Sequence, residues 1–264
     1  MSAINISGLP LFIGVDLGWY GKPSGLAMLR WVDHHLRLCE ITRIQEPHEI
    51  LDWIEENAGT GTAVIAVDAP TIIRNQGSIR PAERALNAQF RRFHAGCHPA
   101  NLARPFAKYV LEFSNALEAM GFRFKPEVAA MEPGRFQIEV HPHAASVNLF
   151  GLPRIVKYKR GRREQRAKEL NRFRKLLLEH LSKSEPAVRN LSLPIVPKKG
   201  STKAVEDQLD AILCAYIAAH WWYWGQARNT IFGDVESGFI VVPNPNSAPT
   251  LTFPASRVPV ADGP

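Results

Sequence analysis

The chain opens with a short apolar run, Leu11-Phe12-Ile13-Gly14-Val15, that stops at Asp16. Gly8 and Pro10 precede it, and Gly18 and Gly21 follow. A run of this length bounded by turn residues predicts a buried strand. Ser24–Val32 and His35–Thr42 predict a second and a third strand, spaced tightly enough for an antiparallel meander. Pro47–Asn57 places Ile50, Leu51 and Ile54 at helical spacing, and Gly59 and Gly61 end it. Ala63-Val64-Ile65-Ala66-Val67 is another apolar run, closed by Asp68-Ala69-Pro70. Because a helix precedes it, this strand is expected to lie parallel to the first.

Residues 71–130 read as a helical insertion, with helices at Pro81–Phe93 and Ala107–Met120. Phe136–His141 alternates, with Phe136, Ile138 and Val140 on one face and Gln137, Glu139 and His141 on the other. Arg162–Leu181 is a long basic helix, and Ser182–Lys203 is a connector. Val205–Trp224 carries the stripe Leu209, Ile212, Leu213, Tyr216 and Ile217. Trp221, Trp222, Tyr223 and Trp224 end that helix and are expected to pack on the sheet or a partner subunit rather than stack on bases. Phe239–Val242 predicts a final strand. No repeat or linker divides the chain, so one domain over 11–243 is expected. Residues 244–264, rich in Pro, Asn and Ser, are expected to form a mobile tail.

Composition adds limits. Hydrophobic residues make up 45% and charged ones 22%, enough for a core and unlike a disordered chain. No window approaches the ~18 apolar residues of a membrane span. Met1–Pro10 has no basic segment followed by an apolar run, and Cys39, Cys97 and Cys214 form no CxxC pair. A cytoplasmic chain without disulfides or structural zinc is expected. The net charge is +7. Arg154–Lys175 alone holds eleven basic residues, Lys157, Lys159, Arg162 and Arg163 among them, against Glu164 and Glu169. Arg74, Arg80, Arg84, Arg91, Arg92, Arg104 and Lys108 form a second basic stretch around Glu83. Solvated surfaces explain both stretches, as does a phosphate-binding surface.

Four acids stand in apolar settings. Asp16 and Asp68 each close a buried strand, Glu139 lies on the polar face of a third, and Asp210 flanks the stripe of the last long helix. An ionised carboxylate there is costly unless compensated. A divalent cation compensates several at once, and oxygen-only ligands favour magnesium or manganese. Ordinary readings remain. Asp16 and Asp68 can cap turns, Glu139 can face solvent, and Asp210 can pair with a lysine at an edge. Glu206 and Asp207 complement a helix N-terminus. His141 can shuttle a proton near neutrality or serve as a satisfied structural histidine.

In order, Gly14-Val15-Asp16-Leu17-Gly18-Trp19, Ala66-Val67-Asp68-Ala69-Pro70, Arg80-Pro81-Ala82-Glu83-Arg84, Glu139-Val140-His141-Pro142-His143, Tyr158-Lys159, Leu209-Asp210-Ala211-Ile212-Leu213-Cys214-Ala215-Tyr216 and Gly238-Phe239-Ile240-Val241-Val242-Pro243 span residues 11–243. This set resembles the family of predicted nucleases with an RNase H-like fold catalogued as domain of unknown function 429. The resemblance implies an α/β fold with a mixed five-stranded sheet, three antiparallel strands leading, flanked by helices. It implies that Asp16, Asp68 and Asp210 bind two Mg2+ or Mn2+ ions, with Glu139 on the same cleft and Asp207 as a further ligand. Two ions about 3.5–4 Å apart would clamp the scissile phosphate of DNA or RNA. Glu139 would ligate or orient the attacking water. Arg80, Arg84, Lys157, Lys159, Arg162, Arg163 and His141 would attend the substrate, giving structure-selective cutting. Two other functions are expected as rivals: a non-catalytic nucleic-acid-binding module, and an ATPase- or kinase-like phosphotransferase of related topology. A phosphoryl hydrolase of small nucleotides is a third. The sequence leaves the oligomeric state open.

Overall fold

The computed structural model describes residues 8–19 and 21–245. The expected tail therefore lies outside the described residues from 246 onward. In chain order, β1 (Leu11–Asp16), β2 (Ser24–Val32) and β3 (His35–Ile44) form the leading meander, followed by α1 (Pro47–Ala58) and β4 (Ala63–Val67). The insertion supplies α2 (Pro81–Phe90), α3 (Ala107–Ala119) and β5 (Arg123–Phe124). After β6 (Arg135–Glu139) come α4 (Pro142–Phe150), α5 (Arg163–Leu181), β7 (Val188–Arg189) and α6 (Lys203–Trp224), and β8 (Asn229–Asp234) and β9 (Gly238–Pro243) close the chain.

The main sheet runs β5-β6-β4-β1-β2-β3-β7. β2 is antiparallel to both neighbours, and every other pairing is parallel. The five long strands, β3-β2-β1-β4-β6, make the mixed five-stranded sheet that the resemblance implies. β5 and β7, two residues each, widen it to seven strands. The last strand is not part of this sheet: β9 pairs with β8 in a separate ribbon and touches the main sheet through one bridge, Val140–Val241.

Strand alternation divides the core. Phe12, Val64, Ala66, Phe136 and Ile138 face α6, whereas Leu11, Ile13, Val15, Ile65 and Val67 pack with Ile50, Ile54, Val110, Phe113 and Leu117 of α1 and α3. α6 is buried on nearly all sides, between the sheet and α4 and α5. Its closest approach is at glycine. A Cβ on Gly14 would lie 2.0 Å from the Ala211 carbonyl oxygen, and one on Gly25 would lie 2.1 Å from that of Asp207. These two glycines let the helix backbone sit directly on β1 and β2. Trp221 and Trp222 pack as expected, with ring centroids 5.7 Å from Phe136 and 5.2 Å from Phe12 respectively.

Candidate functional site

Parallel register brings the first two acids together. Val15 pairs with Val67, so Asp16 and Asp68 follow side by side at the carboxyl ends of β1 and β4. Both belong by alternation to the face covered by α6, where Asp210 sits one turn before Cys214. The contact at Gly14 holds that turn of α6 against β1. Asp16 feels the charges of Asp210 and Asp68, and Asp68 feels those of Asp210 and Glu139. Burial is the largest cause, and the neighbouring carboxylates add to it. Together they hold Asp16 well above the usual carboxylate range and raise Asp68 to about 7.

Lys159 is the main opponent of this crowding, with Lys203 also acting on Asp68. Lys159 Nζ lies 2.8 Å from Asp210 Oδ2. Burial works against its charge, but Asp210, Tyr158, Asp16 and Asp68 outweigh it and hold Lys159 well above the usual lysine value. The buried Tyr158 hydroxyl donates to Asp210 Oδ1. The dipeptide Tyr158-Lys159 thus clamps both oxygens of the helix acid.

Glu139 belongs to a different arrangement. The register pairs Glu139 with Val67, one residue short of Asp68, so alternation turns it to the opposite face of the sheet. There Arg80 Nη2 lies 2.6 Å from Glu139 Oε1 and Nη1 lies 2.9 Å from Oε2, while the Thr71 amide donates to Oε2 at 3.2 Å. Arg80 also donates to Glu83 Oε1 and to the Ile72 carbonyl. Burial raises Glu139, and Arg80 pulls it back. Asp207 is tied separately: Arg43 Nε lies 3.0 Å from Oδ2 and Lys203 Nζ 2.6 Å from Oδ1. The structure therefore assembles Asp16, Asp68 and Asp210 around Lys159. Glu139 and Asp207 already have cations of their own.

A cavity of about 850 Å³ opens beside this nest. Asp68, Glu139, Arg80, Lys157, Lys159, His141 and His143 line it, with Trp19, Phe106, Arg91 and Arg160. A family model described as "Protein of unknown function (DUF429)" matches residues 14–237, from Gly14 of β1 to the turn before β9. The chain belongs to this family. No curated protein matches it. Among solved structures, it is similar to a manganese-soaked, inhibitor-bound nuclease domain of the human cytomegalovirus terminase, at 11% identity. That match covers 84% of this chain and 86% of the viral one, with a TM-score of 0.31, too low to carry an argument about fold or activity.

Of the remaining expected residues of this DUF429 chain, Arg80, His141 and Lys157 line the cavity, whereas Arg84, Arg162 and Arg163 do not. Arg80 and Arg84 do not share an exposed face: Arg80 is buried in the Glu83–Glu139 pairing, whereas Arg84 is exposed on the outer side of α2. His141 Nε2 lies 3.1 Å from the Ala95 carbonyl oxygen. Burial, with the His143 ring beside it, takes His141 down to about 3. The ring lines the cavity with its Nε2 on that carbonyl. Arg163 donates to the carbonyls of Pro197 and Gly200 and so fastens the connector. Arg162 and Lys157 are exposed, Lys157 on the cavity wall. Trp19 and Arg91 were not among the expected site residues, whereas Arg160 is one of the arginines beside Lys159. Trp19 stood next to Asp16 in the first motif, but no periodicity separates a single exposed aromatic from its surroundings.

Among the described residues, no three His, Cys, Asp or Glu side chains are disposed to hold a metal ion. The ammonium of Lys159 reaches the same nest. The chemistry of the donors nevertheless fits a divalent cation: three carboxylates, all oxygen, face one lysine. Among the described residues, no helix is long and apolar enough to cross a membrane.

Proposed function

We propose that this chain is a divalent-metal-dependent phosphodiester hydrolase acting on nucleic acid, with Asp16, Asp68 and Asp210 as the metal ligands. The observation that carries the reading is the convergence of three carboxylates, from β1, the end of β4 and α6, into one nest around the ammonium of Lys159. Asp16 and Asp68, held above their usual range beside Asp210, are a standing electrostatic cost in the metal-free protein, and functional sites are where such costs are retained. A bound Mg2+ or Mn2+ would neutralise the nest, draw charge from the phosphodiester and make the attacking water more acidic. Lys159 would keep Asp210 oriented and add positive charge beside a transferred phosphate. Tyr158, kept protonated by burial and by Asp210, holds the other oxygen of that carboxylate. Lys157, Arg160 and Arg91 would contact flanking phosphates, which position a substrate without reading its sequence. Glu139 supports the wall through Arg80 instead of joining the ligand set.

Incubating the protein with a mixture of labelled single-stranded and duplex DNA and RNA in Mg2+ tests this reading. Cleavage products are expected in Mg2+ or Mn2+ and not in EDTA. Asp210→Asn is expected to slow cleavage on the order of 10³-fold, the scale of losing one preorganised electrostatic group at a reaction centre. Salt-sensitive binding without metal dependence or cleavage would leave a non-catalytic binding module instead.

A further inference from the structure

The cavity beside the acid nest has features that the ligand set alone does not explain. Its volume of about 850 Å³ falls in the range of pockets that enclose a small molecule. Trp19, 37% exposed, stands at its edge, with its ring centroid 4.2 Å from that of Phe106. A large aromatic left accessible yet braced by a second ring offers one free π-face. The walls carry Arg91, Lys157 and Arg160, all exposed. Among the described residues, none of these three forms an ion pair. Their charges are free for an anion, whereas Arg80 and Lys159 on the inner wall are already paired. His141 and His143, taken down to about 3 and about 4 by burial, add no charge at neutral pH.

We infer that this cavity receives an unpaired nucleotide of single-stranded nucleic acid, resting on the proposed hydrolase reading and naming its substrate class. The base would stack on Trp19, and the flanking phosphates would lie along Arg91, Lys157 and Arg160, with Asp68 on the inner wall. Stacking on an aromatic tolerates any base and is the common device of sequence-independent single-strand binders. A duplex keeps its bases paired inside the stack. To fill a walled cavity it must extrude a nucleotide, at a cost that a single strand does not bear.

Binding is measured by fluorescence anisotropy on the Asp210→Asn variant in Mg2+, so that substrate survives. The probes are a labelled single strand of about 12 nucleotides and the blunt duplex of the same sequence. The single strand is expected to bind at least about tenfold tighter than the duplex. Adding Trp19→Ala is expected to weaken single-strand binding roughly tenfold without changing the far-ultraviolet circular dichroism, and Trp19→Phe is expected to restore most of it. Equal affinity for duplex and single strand, or single-strand binding indifferent to Trp19→Ala, would overturn the inference. If the variant binds duplex tightly and the parent protein cuts duplex in Mg2+, the hydrolase reading survives and only the single-strand assignment fails. Failure of the variant to bind either form, together with failure of the parent to cut either, defeats both.

Discussion

Asp68→Asn is expected to stabilise the metal-free protein at pH 8, to leave it unchanged near pH 4, and to abolish cleavage in Mg2+. Asparagine imitates the protonated acid in shape and carries no charge. In the folded chain, burial, opposed by Lys159 and reinforced by Asp210 and Glu139, raises Asp68 from 3.8 to about 7. The folded state therefore holds this proton over a pH range where the unfolded chain has released it. Stability contributed by the group is complete below about pH 4 and is lost as pH rises through about 7. Asp68→Asn removes that loss. In EDTA, its melting temperature should pull ahead of the parent's between pH 4 and pH 8, by at least several degrees at the upper end. His141 and His143 act in the opposite direction, because burial holds both below their ordinary value. They are present in both proteins, so the difference between the two melting curves isolates Asp68. A variant no more stable than the parent at pH 8 would show that the carboxylates are not crowded.

Arg80→Met is expected to be the most destabilising of the single changes considered. It leaves Glu83 and Glu139 buried without their shared cation, and breaking a buried ion pair from one side costs about 3–5 kcal/mol. In a chain of this size that corresponds to a fall in melting temperature of roughly 10 °C or more. Arg84→Met, one turn along the same helix but exposed, should fall within about 0.5 kcal/mol of the parent. Glu139→Gln should cost less than Arg80→Met, since Arg80 keeps Glu83 and the Ile72 carbonyl. Thermal melts of the three variants side by side measure the contrast. Equal melting of Arg80→Met and Arg84→Met would remove the buried pairing from the account.

The contrast between Arg80 and Arg84 also marks what was legible in the chain. β1 and β4 could be read because short apolar runs end at acids, and those acids stand out because ionised groups rarely close buried strands. Asp210 could be placed because α6 is a long run without Gly or Pro in which this acid stands among apolar residues. Two small residues decide how closely it approaches, and Gly14 was visible only as part of an apolar run until α6 was seen lying on it. Glu139 reaches the cavity that Asp68 also lines, but from the other face of the sheet. Its partner Arg80 lies 59 positions away, and a one-residue difference in register decides which face it takes. α4 escaped notice because it is buried almost all round and has no polar face to give it a period. β8 was missed because Asn229-Thr230-Ile231-Phe232-Gly233-Asp234 is short and mixed, and its only strand partner is β9.

The account depends on Asp16, Asp68 and Asp210 acting as one cation site, although they lie far apart in the chain. Titration with Mn2+, followed by the loss of its free electron paramagnetic resonance signal, tests this directly. The parent is expected to bind Mn2+, and Asp16→Asn and Asp210→Asn should each weaken that binding by at least about tenfold, since each removes a full negative charge from the same ion. If both variants took up Mn2+ as tightly as the parent, the three acids would not form a metal site.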